Sequence, residues 1–181
     1  MNILVVGGGG REHAIAYSLS KSPLIKKLIV APGNPGIETF AECYPVAADD
    51  IEGQCKLAKD VKADIVFIGP EIPLVLGLKN KLSEIGINAF GPSKEAAQLE
   101  GSKTFSRNFC KKYNIPQPNF KYCSDLNTAK DHIELLNGYC VVKADGLAAG
   151  KGVVVCNTVN EAIEASTQML EENKFGDAGK S

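Results

Sequence analysis

The chain has 181 residues, of which 44% are hydrophobic and 23% charged, and its formal net charge is −1. This composition is ordinary for a globular protein and excludes a disordered chain and a coiled coil. The balance of 20 Lys and Arg against 21 Asp and Glu lacks the basic excess typical of proteins that bind nucleic acid or anionic membranes.

No apolar run reaches the roughly 18 residues that a membrane-spanning helix requires, and the N-terminus lacks the features of a secretory signal. We therefore expect a cytoplasmic protein with no membrane partner. The six Cys form no C-x-x-C pair, which indicates reduced thiols rather than disulfides. The two His, His13 and His132, lie in different segments, so no zinc site is expected.

The first ninety residues alternate between short apolar runs and helical patterns. The apolar runs predict buried parallel strands over 3–6, 28–31, 65–68 and 87–90. The intervening segments predict helices over 11–20, 51–62 and 73–85. Strands separated by helices imply a doubly wound parallel α/β sheet with right-handed crossovers.

The pattern changes after residue 90. Helices are predicted over 94–99, 103–113, 126–136 and 159–170. The Pro-rich segment 115–118 is typical of a linker, and 120–123 is compatible with a strand. The apolar runs 139–144 and 153–156 predict a hairpin with a long Gly-rich tip.

Three loops rich in Gly and Pro follow the first three strands, over 7–10, 32–36 and 69–71. Ligands of doubly wound sheets bind beyond the carboxyl ends of the strands, so these loops together predict a binding site. Backbone N–H groups between the first strand and its helix suit phosphate, and the Glu71 carboxylate suits hydroxyl or amine groups. A tight turn alone explains one or two glycines of the first loop, but not four. Taken singly, the second and third loops favour plain turns, and Glu71 is equally compatible with a solvated acid.

The first loop does not match the dinucleotide-binding pattern G-x-G-x-x-G. In either register the third glycine is replaced, by Glu12 or by His13. The second strand ends in Ala31 and Pro32 rather than in a carboxylate that could bind a ribose. NAD is therefore not expected as a cofactor.

A longer Gly-rich loop lies between the two strands of the predicted hairpin. It is not a Walker A loop, because only three residues separate Gly146 from Gly150, where that motif has four. A hairpin turn needs only Asp145 and Gly146, and the additional glycines go beyond that need. We interpret the loop as a cover for nucleotide phosphates, with positive charge from Lys143 and Lys151.

Five segments together resemble the phosphoribosylamine–glycine ligase family, also called the glycinamide ribonucleotide synthetases. They are 7–14, 31–36, 69–71, 99–103 and 143–153, and residues 175–179 fit the same pattern. The motifs occur in the family's order and extend over the whole chain. The resemblance implies an α/β protein with a doubly wound N-terminal domain, followed by an incomplete small α+β lobe of an ATP-grasp domain.

The resemblance also implies three regions and a set of ligand-binding residues. Residues 1–100 are expected to form a substrate-binding domain, 101–118 a helix and linker, and 119–181 the partial ATP-grasp lobe. The substrate-binding residues are expected to be Gly8, Gly9, Gly10, Arg11, Pro32, Gly33, Asn34, Gly36, Gly69, Pro70 and Glu71. The ATP-binding residues are expected to be Lys103, Lys143, Asp145, Gly146, Gly150, Lys151 and Gly152. Lys103 and Lys143 match family lysines that contact ATP phosphates.

Members of this family join 5-phosphoribosylamine to glycine with ATP, through a glycyl phosphate, in purine synthesis. Their chains are more than twice as long as this one. The resemblance therefore implies a fragment that lacks the large ATP-grasp lobe with its acidic ligands for Mg²⁺ or Mn²⁺. No catalytic residue is assigned, and the fragment alone is expected to be inactive.

The resemblance further implies a monomeric parent protein. A strand expected after residue 181 is missing, so any self-association of the fragment is expected through the open edge of the second sheet. An alternative remains open from the residues alone. It is a non-catalytic module that binds a sugar phosphate or a nucleotide.

Overall fold

The computed structural model describes residues 1–146 and 152–172. Met1–Gln98 form one compact unit and Leu99–Ser181 a second, and the first is described over its whole length. No helix among the described residues is both long and apolar enough to cross a bilayer.

A parallel five-stranded sheet organises the first unit. Its strands are β1 (Asn2–Gly7), β2 (Lys27–Pro32), β3 (Glu42–Cys43), β4 (Ile65–Ile68) and β5 (Asn88–Phe90). Their order across the sheet is β3-β2-β1-β4-β5. The chain runs outward from β1 on one side and resumes at β4 on the other, so the topological switch point lies between β1 and β4.

Apolar residues are buried on both faces of this sheet, because successive strand residues point to opposite sides. Leu4 belongs to the core packed against α2 (Ile51–Asp60) and α4 (Leu78–Glu84). Val5 belongs to the opposite core, which includes residues of α1 (Gly10–Ser20). The remaining helical segments of residues 1–101 are a 3₁₀ turn (Ile37–Thr39), α3 (Glu71–Leu76) and α5 (Lys94–Gly101). Burial on both faces explains why β1 is wholly apolar.

An antiparallel hairpin forms the sheet of the second unit. Strands β6 (Cys140–Lys143) and β7 (Val153–Cys156) place Cys140 opposite Cys156 and Lys143 opposite Val153. The helices of this unit after α5 are α6 (Lys103–Lys112), α7 (Leu126–Leu135) and α8 (Val159–Leu170). Residues of α7 and α8 pack with the hairpin face that carries Val142 and Val154, while Val141, Val153 and Val155 on the other face stay exposed.

Most predicted elements are confirmed, and the exceptions have local causes. The single helix predicted over 73–85 is wrong: α3 ends at Leu76, the φ of 94° at Gly77 is left-handed, and α4 begins after Gly77. Residues 120–123 form no strand, and no strand of the described residues pairs with them. The two-residue strand β3 was not predicted, because it is too short to show an apolar pattern.

Candidate functional sites

The three predicted loops of the first unit meet at the carboxyl edge of the sheet. Gly33 N–H donates to the Gly7 carbonyl over 3.2 Å, and Gly69 N–H donates to the backbone of β1 over 3.1 Å. The Asn34 amide donates to the Gly8 carbonyl over 2.9 Å. Backbone and side-chain hydrogen bonds therefore join loops that are distant in sequence, as the adjacency of β2, β1 and β4 requires.

A buried carboxylate fills the space between two of these loops. Glu12 is 4% exposed. A Cβ on Gly7 would lie 2.6 Å from Glu12 Cγ, too close for two carbon atoms that are not bonded. A Cβ on Gly69 would also collide with the Glu12 carboxylate. Oε2 of Glu12 accepts the Gly9 N–H over 2.8 Å, and Oε1 accepts Arg11 Nε–H over 3.0 Å. Glycines at positions 7 and 69 thus make room for the group that holds the loop.

Arg11 links the buried Glu12 to the more exposed Glu71. Its Nη1 donates to Glu71 Oε1 over 3.0 Å, and the two side chains are 56% and 41% exposed. The hydrogen bond from Arg11 lowers the pKa of Glu71 below its ordinary value. One cation therefore lies between two carboxylates at this edge, and the outer one is open to a ligand.

The start of α1 retains hydrogen-bond donors. Among the described residues, no acceptor bonds the backbone N–H of Gly10 or Arg11, whereas Glu12 holds the N–H of Gly9. A Cβ on Gly10 would meet nothing within 4 Å, so the space on the side-chain side of Gly10 is open. Free donors at the positive end of a helix suit an oxyanion.

The structure brings the remaining predicted substrate residues to the same edge. Pro32 ends β2 and is exposed, and Pro70 precedes the first residue of α3. Gly36 N–H donates to the Asn34 side-chain oxygen over 2.9 Å, which closes the second loop on itself. The predicted residues thus adjoin one another, and their part in substrate binding stays a prediction.

A partly buried carboxylate organises the predicted ATP-binding residues of the second unit. Asp145 Oδ1 accepts the backbone N–H of Lys103 and, over 3.2 Å, that of Thr104. Its Oδ2 accepts the Ser102 hydroxyl over 3.0 Å. Lys103 Nζ donates to the Gly146 carbonyl over 2.9 Å. Two motifs that are far apart in sequence are therefore joined at the start of α6.

These bonds keep Asp145 ionised. Burial raises the pKa of Asp145, but hydrogen bonds from Thr104, Ser102 and Lys103 outweigh it, and the net pKa lies below the ordinary value. The carboxylate is consequently a negative charge held by this unit's own donors.

A pocket of about 440 Å³ includes Asp145, Lys103 and Thr104 in its lining. Helices α7 and α8 contribute its apolar wall. The ionisable side chains among the described lining residues are Lys103, Arg107, Lys121, Tyr122, Cys123, His132, Tyr139, Cys140, Lys143 and Asp145. Four lysine or arginine side chains against one carboxylate give the pocket a positive excess, which suits an anionic ligand.

The other predicted ATP-binding residues are less constrained. Lys143 ends β6 and is exposed, and the carbonyl of buried Gly152 accepts the Ala144 N–H over 2.9 Å. The predictions for Gly150 and Lys151 fall outside the described residues. Among the described residues, no group of three or more His, Cys, Asp or Glu side chains could hold a metal ion.

Sequence reasoning missed Glu12 and Ser102 as site-organising residues. Both carried a signal: Glu12 is the third residue of α1 and Ser102 directly precedes α6, the positions of a capping box and an N-cap. No sequence signal shows that Asp145 bonds α6 from more than 40 positions away.

Both regions correspond to domains of one enzyme family. Residues 1–100 match the family model described as phosphoribosylglycinamide synthetase, N domain, and residues 101–181 match its ATP-grasp (A) domain. The chain belongs to the phosphoribosylglycinamide synthetase family. The resemblance found in the sequence motifs is thereby confirmed.

Individual relatives agree with this family. The chain is 47% identical over 179 residues to a phosphoribosylamine–glycine ligase of Brucella melitensis and 44% identical over 179 residues to one of Halalkalibacterium halodurans. Each alignment covers 99% of this chain and 42% of the relative, so the chain spans about two fifths of their length. A crystal structure of the Thermotoga maritima phosphoribosylamine–glycine ligase matches 98% of this chain and 41% of its own, with 29% identity and a TM-score of 0.79.

Replacing Arg11 by Met should raise the pKa of Glu71 towards its ordinary value, because the hydrogen bond that stabilises the ionised carboxylate is lost. In the unaltered chain this bond stabilises the fold above the ordinary pKa of Glu. The contribution disappears as the pH falls through the lowered pKa. NMR titration of the Glu71 carboxyl carbon measures the change, and Lys21→Met, just beyond the other end of α1, should leave it unaltered. An equal titration curve in Arg11→Met would contradict the ion pair.

Proposed function

We propose that the whole protein is an ATP-dependent carboxylate–amine ligase that joins 5-phosphoribosylamine to glycine in purine synthesis. One observation carries the proposal: consecutive parts of the chain match two domains of a single synthetase family. The arrangement of the loops supports it, since one unit offers free N–H donors and the other a cationic pocket.

The proposed reaction has two steps. The glycine carboxylate attacks the γ-phosphorus of ATP and releases ADP, which gives a glycyl phosphate. The amine of 5-phosphoribosylamine then attacks the acyl carbon, and phosphate leaves as the amide forms. Activation is needed because a carboxylate oxygen is a poor leaving group, whereas phosphate is a good one.

The first unit is proposed to bind the sugar phosphate. The free N–H groups of Gly10 and Arg11 suit the phosphate, and the outer carboxylate of Glu71 suits the amine or hydroxyl groups of the sugar. Glu12 contributes indirectly, because it holds the Gly9 N–H and the Arg11 guanidinium.

The second unit is proposed to bind the phosphates of ATP. Lys103 and Lys143 supply positive charge that stabilises negative charge on the transferring phosphoryl group. Asp145 is already bonded to Ser102 and α6, so it is proposed here as a structural neighbour of the phosphates. Gly146 and Gly152 flank the Gly-rich loop that is proposed to cover the phosphates. The proposed domains are a substrate-binding domain over 1–100, a helix and linker over 101–118, and the partial ATP-grasp lobe over 119–181.

Mg²⁺ or Mn²⁺ belongs to the proposed enzyme through its family, but the described residues do not fit a metal site. The described residues are therefore assigned no role in binding the ion or in a step that depends on it. A cytoplasmic location, a monomeric whole protein and the absence of nucleic-acid or membrane partners stay predictions. So does self-association of this chain through β6 and β7, whose exposed valines favour it.

A ligase assay tests the proposed function directly. The whole protein should release ADP over many turnovers only when both glycine and 5-phosphoribosylamine are present, and Lys143→Ala should lower the rate at least tenfold by removing a phosphate contact. The 181-residue chain alone should show no turnover. Release of ADP that ignores glycine would contradict the proposal, and ligand binding without turnover by the whole protein would favour a non-catalytic module.

Two substitutions separate the proposed sites in the 181-residue chain. Arg11→Ala should weaken ribose 5-phosphate binding about tenfold and leave ATP binding unchanged, because the loss of the guanidinium leaves the Glu12 and Glu71 carboxylates without their cation beside the proposed phosphate position. Lys143→Ala should weaken ATP binding and leave ribose 5-phosphate binding unchanged. Isothermal titration of both ligands against both variants makes each variant the control for the other. Loss of both affinities in either variant would contradict two independent sites.

A further inference from the structure

The N-terminus of α6 is saturated by side chains of its own unit. Ser102 Oγ accepts the Phe105 N–H over 3.0 Å, and Asp145 Oδ1 accepts the two N–H groups that precede it, those of Lys103 and Thr104. Helix starts usually leave such donors free, and free donors attract anions. In this unit a carboxylate from the end of the hairpin already occupies that position.

Asp145 also bonds the residue that follows it. Its Oδ1 accepts the Gly146 N–H over 3.0 Å, while the Gly146 carbonyl accepts Lys103 Nζ over 2.9 Å. The backbone N–H of Lys103 is therefore bonded to Asp145, and its ammonium group to the neighbouring Gly146. This closed set of bonds leaves the Lys103 side chain at the pocket lining.

We propose that Asp145 is a positioning residue for Lys103, with Ser102 as its partner, and that it makes no contact of its own with nucleotide phosphate. The inference rests on the proposed nucleotide site and deepens it. A carboxylate that serves only as a nearby charge repels an anionic ligand, so its removal would strengthen binding. A positioning carboxylate has the opposite effect, because its removal releases Lys103.

The chain contains a matched control. Like Asp145, Asp125 is a carboxylate of the second unit that accepts a backbone N–H at a helix start: its Oδ1 accepts the Thr128 N–H over 2.8 Å at the start of α7, where Asp125 is the N-cap residue. Asp125→Ala removes the same charge and a helix cap of the same kind. It disconnects no distant segment, because the partner is three positions away.

Hydrogen exchange and ATP titration of the 181-residue chain test the proposal. Asp145→Ala should speed amide exchange at Lys103 and Thr104 at least about tenfold and weaken ATP binding by a similar factor. Asp145→Asn should restore much of the exchange protection and of the ATP affinity, because the amide oxygen of Asn can still accept the Lys103 and Thr104 N–H groups. Asp125→Ala should speed exchange at Thr128 and leave ATP affinity unchanged. Unaltered exchange at Lys103 and Thr104 in Asp145→Ala, or tighter ATP binding, would overturn the proposal.

A double-mutant cycle separates positioning from a general structural role. If Asp145 acts through Lys103, then Lys103→Ala and the double variant Lys103→Ala/Asp145→Ala should bind ATP equally weakly. Additive losses would overturn the inference. Failure of the unaltered chain to bind ATP would instead overturn the proposed nucleotide site, and with it this inference, while the exchange data would still report whether Asp145 caps α6.

Discussion

A single buried carboxylate holds the carboxyl edge of the first unit together. Glu12 fills the space that glycines leave at positions 7 and 69, and there it accepts hydrogen bonds from Gly9 and Arg11. Because β1 and β4 flank the topological switch point, this edge is where a doubly wound sheet offers a ligand site. A larger residue at either glycine would displace Glu12, and the loop and Arg11 would lose their anchor.

The two units use a carboxylate at a helix start in different ways. In α1 the side chain of Glu12 holds the loop, and the N–H groups of Gly10 and Arg11 remain available. In α6 the side chains of Asp145 and Ser102 take the corresponding donors. Backbone donors therefore suit an anion in the first unit, whereas in the second unit the described pocket lining offers an anion lysine and arginine side chains.

The sequence predicted the sheet and the hairpin well, because wholly apolar strands such as 3–6 and 65–68 follow from burial on both faces. It also placed the Gly-rich loops correctly after β1, β2 and β4. It failed at 73–85, where Gly77 breaks a pattern that reads as continuous. It missed the contacts of Asp145, since local spacing carries no information about a partner more than 40 positions away.

A crystal structure of the chain grown with ribose 5-phosphate would show whether the carboxyl edge of the first unit binds phosphate. The phosphate should lie at the start of α1, within hydrogen-bond distance of the Gly10 and Arg11 N–H groups. Glu12 should still accept the Gly9 N–H, as it does without a ligand. A phosphate bound elsewhere in the chain, or a Glu12 carboxylate displaced from Gly9, would contradict this prediction.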